Sequence, residues 1–257
     1  MASHPFFEGL RSPRILAHRG LVTEEMRAEG IAENSFAAIA AAHAAGAEII
    51  ESDCHLTADG RVVLFHDDTL ERVTGDPRAI AEVTFAELDQ VMAGRGGLAT
   101  LAQALEAFPV SRFNIDVKAA AAAVPAGEIV AEHADRVLLT SFSDARRIRA
   151  LAAAERAGGS PATSAGSNVI GRLVAAVRIL PARRVLARIL RGVDALQVPE
   201  RRGPIRVVTP QLIRAAHACG VEVHVWTIND IDEMRRLIAM GVDGIVTDIA
   251  DQALEAT

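Results

Sequence analysis

The chain has 257 residues, half of them hydrophobic, enough to bury a large core and within the size range of a single α/β barrel. Its formal net charge of −6 gives no electrostatic reason to expect a nucleic-acid partner, and no uncharged run approaches the roughly 18 residues of a membrane-spanning helix. Met1 to Pro13 has no basic stretch followed by an apolar one, and Cys54 and Cys219 stand in no zinc or redox motif, so a soluble cytoplasmic protein without a transmembrane segment is expected.

Strand-like runs alternate with alanine-rich helical runs along the chain, the pattern of parallel strands joined by crossover helices. The first strand is read at Arg14–His18. Asn34 and Ser35 then cap a helix running to Ala45, which Gly46 ends. A second strand, Glu48–Cys54, leads into Leu56-Thr57-Ala58-Asp59-Gly60, a turn containing Asp-Gly, and an alternating run Arg61–Phe65 ending at His66. This reads as a β-hairpin arm rather than a further barrel strand. The polar, turn-rich stretch Asp67–Gly97 is a small insertion before the second barrel helix, and its end, Gly94-Arg95-Gly96-Gly97, reads as plain loop more than as a phosphate cradle.

Beyond it, strands are expected at Arg112–Lys118, Arg136–Phe142, Pro161–Ala165, Ala195–Val198, Glu222–Ile228 and Gly244–Thr247, with Ser143 and Asp144 opening a helix to Ala154. Eight strands close a barrel, so residues 1–257 are read as one (β/α)₈ TIM-barrel domain. The fifth run carries the weakest signal, since Gly158–Ser167 resembles a loop as much as a strand; the alternative is a six-strand open sheet. Arg178–Arg206 is locally basic, either a solvated face or a surface attracted to anionic lipid or a phosphorylated head group.

Polar residues gather at the C-terminal ends of these strands, where barrel enzymes place their chemistry. His18 and Arg19 end the first. Glu51 and Asp53 are two apart on the second and so share a face, a spacing that Asp116 and Lys118 repeat on the third. Three carboxylates facing one barrel mouth repel unless a cation stands among them. A hard divalent ion, Mg²⁺ or Ca²⁺, meets that need with oxygen ligands; buried ion pairs to Arg19 and Lys118 meet it without metal. His18 and His66 come from different elements and can act as base and acid for two proton transfers at a phosphodiester, while Arg19 and Lys118 offer donors to phosphate oxygens. Trp226, the only tryptophan, is either a wall beside the substrate or part of the core. His4, His43, His133 and His217 are read as structural or exposed.

Taken together, Ala17-His18-Arg19-Gly20, Ala32-Glu33-Asn34-Ser35, Ile50–Gly60, Val62–Asp67, Asn114–Lys118, Ser141-Phe142, Val225–Asn229 and Asp243–Asp248 resemble the glycerophosphodiester phosphodiesterase family across the barrel. The resemblance implies hydrolysis of small glycerophosphodiesters to glycerol 3-phosphate and an alcohol. It implies His18 and His66 as acid and base, Arg19 and Lys118 on the phosphate, and Glu51, Asp53 and Asp116 as ligands of one divalent cation. Two departures stand out. The third metal ligand of the family is usually glutamate, and aspartate at 116 withdraws its carboxylate by about 1.5 Å, one C–C bond. Ala32 stands where a proline is common. The alternatives within reach of the same residues are a lysophospholipase D-like phosphodiesterase and a barrel that binds a phosphodiester without turning it over.

Overall fold

The described residues form ten strands, the barrel ones rich in β-branched and aliphatic side chains: β1 (Arg14–His18), β2 (Ile49–Leu56), β3 (Val62–Leu64), β4 (Arg112–Val117), β5 (Val137–Thr140), β6 (Ala195–Pro199), β7 (Arg201–Arg202), β8 (Ile205–Arg206), β9 (Glu222–Trp226) and β10 (Gly244–Thr247). The structure, a computed structural model, describes residues 4–179 and 182–257; the first three residues of the N-terminal stretch therefore lie outside it. The helices are α1 (Glu24–Ala28), α2 (Phe36–Ala44), α3 (Glu71–Thr74), α4 (Phe85–Met92), α5 (Leu101–Ala107), α6 (Ala123–Val130), α7 (Asp144–Arg156), α8 (Ser167–Ile179), α9 (Arg183–Ile189), α10 (Pro210–His217), α11 (Ile231–Ala239) and α12 (Ala250–Ala256). Among the described residues no helix is long and apolar enough to cross a membrane.

Seven parallel strands run in the order β5-β4-β2-β1-β10-β9-β6. The gap between β5 and β6 is spanned by the segment 161–165, which makes one parallel bridge to each side, Leu138 with Ala162 and Ser164 with Ala195. The Leu139 N–H donates to Ala162 O at 2.8 Å, and the Ala165 N–H donates to Ala195 O at 3.0 Å. The expected fifth strand is thus present only as this minimal seam, and it closes the TIM barrel that an open sheet would have left split. Its sequence explains the thinness: Pro161 has no N–H to give to a ladder, and Ala162 and Ser164 bury little on a pleated surface.

Inside the barrel the period of two stacks side chains in layers. Phe6, Phe7, Leu16, Ile49, Leu138, Ala162, Ala195 and Val246 form an apolar floor, with the N-terminal 3₁₀ turn Pro5–Phe7 contributing its two phenylalanines from below. One step further along the same strands come His18, Glu51, Asn114, Thr140, Ser164 and Gln197, which face the C-terminal mouth. The parallel register aligns them: His18 lies opposite Glu51, Glu51 opposite Asn114, and Asp53 opposite Asp116. A dry floor beneath a polar layer is the arrangement that keeps charged groups at the open end of the barrel.

Several boundaries differ from the sequence reading. β2 runs on to Leu56 because β3 pairs with it antiparallel, Cys54 with Leu64 and Leu56 with Val62, as a hairpin arm requires. β5 stops at Thr140, where Ser141 turns away and its hydroxyl donates to Val117 O at 2.8 Å. The insertion 67–97, which reads as polar and turn-rich, holds α3 and α4 over an apolar cluster of its own, with Leu70, Ile80, Val83, Leu88 and Met92 packed on Val63 and Phe65 of the arm. Its apolar residues follow no single period, so pattern alone did not reveal them.

The helix starting at Ser35 begins as expected, with Ser35 Oγ accepting from the Ala38 N–H at 3.1 Å. Asn34 is not part of that cap; it is buried and turns toward Asp53. Two of the free N–H groups of α2, those of Phe36 and Ala37, donate to the carbonyls of Gly97 and Gly96. The glycine-rich loop is therefore structural. A Cβ on Gly96 would come within 2.6 Å of Ser35 Oγ, at a backbone φ of +93°.

Candidate active site

Every residue singled out from the sequence, namely His18, Arg19, Glu51, Asp53, His66, Asp116, Lys118 and Trp226, lines one cavity of about 210 Å³ at the C-terminal end of the strands. Seven lie on barrel strands or immediately beyond β1 and β4, and His66 alone comes from the arm. Arg19 follows β1 in the left-handed region, φ 58°, a conformation uncommon for a side chain with a Cβ. That turn aims its backbone N–H at Glu51 Oε2, 3.1 Å away, while its guanidinium reaches Glu33 Oε1 at 2.6 Å and lies 3.4 Å from Asp53 Oδ2.

Negative charge dominates the floor of the cavity. Glu51, Asp53 and Asp116 are all buried. Lys118 Nζ sits between two of them, 2.8 Å from Asp53 Oδ1 and 2.8 Å from Asp116 Oδ2. Burial opposes its charge, but the two aspartates more than compensate and push its pKa above the ordinary lysine value. Glu51 has no such cation in contact: its burial, then the neighbouring Asp53 charge, push its pKa up to about 8. Burial also raises Asp116 despite Lys118, and Asp116 Oδ1 is buried with no hydrogen-bond partner.

Among the described residues no three His, Cys, Asp or Glu side chains converge on one point as a ready-made metal cage, because Lys118 occupies the space between Asp53 and Asp116. The donor chemistry nevertheless suits a hard cation. Three buried carboxylates, one oxygen without a partner and one acid held protonated near neutrality all signal positive charge in short supply.

The two histidines face this floor from opposite supports. His18 Nδ1 is 2.6 Å from Asp248 Oδ1, and Asp248 Oδ2 accepts from Asn229 Nδ2 at 2.6 Å. Asn229 is itself fixed, its Oδ1 accepting from the Thr247 hydroxyl and the Asp248 N–H, each at 2.9 Å. Nε2 of His18 points inward, 4.0 Å from Glu51 Oε2. Burial by itself lowers the His18 pKa, yet the Asp248 hydrogen bond and the Glu51 charge outweigh it and raise the value above that of free histidine.

His66 ends the hairpin arm and gives Nδ1 to Asp67 Oδ1 at 2.6 Å. Asp67 Oδ2 accepts from Arg72 Nε at 2.6 Å, and Arg72 Nη2 donates to Glu33 Oε1, also at 2.6 Å. Since Glu33 is the acid that holds Arg19, a continuous chain His66–Asp67–Arg72–Glu33–Arg19 links the arm to the end of β1. Burial favours the neutral form of Asp67, but the hydrogen bonds from His66 and Arg72 prevail and hold its pKa below the usual aspartate value.

Asn34, also at a left-handed φ of 58°, ties the second strand down: its Nδ2 donates to Asp53 Oδ2 at 3.2 Å and its Oδ1 accepts from the Ser52 hydroxyl at 2.6 Å. The aromatic wall is Trp226, edge-on to Phe142 with ring centroids 5.6 Å apart; Lys118 Nζ lies 5.3 Å from the Phe142 centroid. The inner side of Trp226 also packs on the apolar floor, so it serves both of the roles weighed for it.

Sequence reading missed Asp248, Asn229, Asp67, Arg72 and Asn34 as site residues. Asp248 carried a usable signal, an acid directly after a strand run, the same rule that picked out His18 and Lys118. Arg72 carried none, because its place depends on how the insertion folds back.

Known proteins give this geometry a family. Residues 18–252 match the glycerophosphoryl diester phosphodiesterase family. A probable glycerophosphodiester phosphodiesterase 2 of Mycobacterium tuberculosis is 36% identical over 239 residues, covering 92% of this chain and 87% of that protein. Among solved structures, the glycerophosphodiester phosphodiesterase of Thermotoga maritima superposes with a TM-score of 0.73 at 25% identity, covering 96% of this chain and 100% of the other. A phosphodiesterase of Oleispira antarctica, solved with the product sn-glycerol-3-phosphate, shares the fold with a TM-score of 0.72 at 23% identity over 95% of this chain and 96% of its own. The barrel with its polar mouth thus belongs to an enzyme, and the chain is a member of the glycerophosphoryl diester phosphodiesterase family.

Proposed function

We propose that the protein is a cytoplasmic enzyme that hydrolyses glycerophosphodiesters to glycerol 3-phosphate and an alcohol, with His18 and His66 as acid and base and one divalent cation, Mg²⁺ or Ca²⁺, held by Glu51, Asp53 and Asp116. The observation that carries the reading is the pair of histidines, each anchored through Nδ1 by its own carboxylate at 2.6 Å, on two sides of a cavity floored by acids and by Arg19 and Lys118. Anchoring Nδ1 leaves each Nε2 to meet the substrate, which is the arrangement two successive proton transfers need.

In this mechanism one histidine takes the proton of the glycerol 2-hydroxyl as that oxygen attacks phosphorus, and the other protonates the departing alcohol. The resulting cyclic phosphate is opened by water with the histidines in exchanged roles, which returns both to their starting states. Arg19 and Lys118 face the phosphate oxygens and stabilise the charge that gathers there. The cation, when bound, adds Lewis-acid stabilisation to the same oxygens. Glu51, Asp53 and Asp116 would hold that cation, with Asp116 reaching less far than a glutamate would.

The test is release of glycerol 3-phosphate from glycerophosphocholine and glycerophosphoethanolamine, with and without Mg²⁺, Ca²⁺ or Mn²⁺. Activity is expected only with a divalent ion, and His18→Ala is expected to lower kcat by about 100-fold or more. Full activity in His18→Ala would overturn the acid–base assignment. No turnover of either diester with any of these ions would favour a barrel that binds without cleaving.

A further inference from the structure

None of the arginines in the stretch beyond the fifth barrel segment lines the cavity. Residues 167–206 hold nine arginines against two acids, Asp194 and Glu200, in a chain whose net charge is −6. Both acids are engaged: Asp194 accepts from the Thr163 N–H at 2.9 Å, and Glu200 faces Arg236 at 2.7 Å and Arg206 at 3.7 Å. Arg183, Arg184 and Arg202 are exposed and have no side-chain hydrogen bond or ion pair among the described residues. The rest of the chain is correspondingly acidic.

The fold brings this charge to the mouth. α8 opens beside the cavity, where Ser167 and Ile170 are part of the lining. At its other end, Arg178 Nη2 donates to Arg206 O at 3.1 Å, so the end of α8 lies against the β7–β8 hairpin, which itself follows the C-terminal end of β6. Exposed aliphatic side chains stand among the arginines, Ile179 at 81% exposure and Ile205, on the hairpin, at 44%. No aromatic residue occurs between 167 and 206.

We propose that the end of α8, the start of α9 and the β7–β8 hairpin form a docking surface for an anionic lipid bilayer. Guanidinium groups mixed with exposed isoleucines match an interface of phosphate head groups over acyl chains, where the arginines meet the phosphates and Ile179 and Ile205 enter between them. Single-stranded nucleic acid would use aromatic stacking platforms, and this surface has none. Because the remainder of the chain carries a net negative charge, an anionic membrane favours approach of the barrel with this rim toward the lipid. The inference rests on the proposed function for its purpose, the delivery of lipid-derived diesters to the mouth, but the surface itself is tested without catalysis.

The experiment is co-sedimentation of the full chain with vesicles of phosphatidylcholine alone or mixed with phosphatidylglycerol, at about 0.1 M and about 0.5 M NaCl. Binding is expected for the mixed vesicles only, and it should fall steeply at the higher salt. The quadruple variant Arg183→Gln, Arg184→Gln, Arg201→Gln, Arg202→Gln should bind about 100-fold more weakly or worse, and Ile205→Ser several-fold more weakly, with hydrolysis of soluble glycerophosphocholine unchanged in both. The proposal is overturned if the wild-type chain binds neither vesicle at low salt, binds both equally, keeps its affinity in the quadruple variant, or prefers a labelled oligonucleotide to the mixed vesicles. Vesicle binding by a chain that does not cleave glycerophosphocholine would remove the proposed reaction and leave the docking surface standing.

Discussion

The two sides of the mouth are built in different ways. His18 belongs to a barrel strand, and its partners Asp248 and Asn229 follow β10 and β9, so the hydrogen-bonded register of three adjacent strands sets the whole unit. His66 ends an arm outside the barrel, and its partner Asp67 is held by Arg72 of the insertion, which reaches back to Glu33. One side is positioned by backbone pairing. The other depends on exposed side chains, since Arg72 is half exposed, and exposed ion pairs are individually weak. The arm is the more adjustable half of the site, and the apolar cluster beneath α3 and α4 is what keeps it in place.

The largest effect expected from perturbing this contrast is on the rigid side. Asp248→Ala removes the acceptor that anchors His18 and raises its pKa, so kcat should drop by about 100-fold or more. The sign on pH follows from the raised value: without Asp248 the imidazole loses its proton at lower pH, and the pH–rate profile should move to the acid side. An unchanged profile would mean that Asp248 does not hold His18 in solution.

On the adjustable side, Arg72→Gln breaks the chain between Asp67 and Glu33 and should lower kcat/KM by about 10-fold, since both ends of that chain then reorient. The loss should not add to that of Asp67→Asn in the double variant, because both act on one network. Full additivity would show that Arg72 and Asp67 work apart. A loss as large as that of Asp248→Ala would remove the distinction between the two sides.

The smallest expected effect concerns the shared floor. The Glu51 pKa is raised from 4.5 to about 8 by burial and by Asp53, so the folded state holds a proton that the unfolded state releases. For a group shifted in this direction, stability is fully present below the unfolded pKa and is lost as pH rises toward the folded one. The metal-free protein should therefore melt progressively lower between about pH 4.5 and about pH 8. A cation competing with that proton should raise Tm by several degrees at pH 8 and by less at pH 5. An equal rise at both values would place the cation away from Glu51.

How far the sequence reaches can be judged from particular residues. The pairs Glu51/Asp53 and Asp116/Lys118 were legible because a strand period of two leaves no freedom about which face they share. The arm was legible from Asp59-Gly60 between alternating runs. The seam at 161–165 was only half legible, since its strand character comes from neighbours on both sides rather than from its own propensity. Asp248 and Asn229 were within reach of the strand-end rule, whereas Arg72 and Asn34 were not, because side chains in loops and insertions are directed by contacts distant in the chain.

The sequence by itself determined the barrel, the direction in which its strand-end polar groups point and the family, since all three follow from local periodicity and from motifs at strand ends. Only the tertiary structure decided what those groups touch. Lys118 lies between Asp53 and Asp116, Asp248 rather than Glu51 anchors His18, and the arginines of α8 meet the hairpin beside the mouth. The physical reason is range: alternation along a strand is a property of consecutive residues, while an ion pair depends on closure of the barrel and on where the loops come to rest.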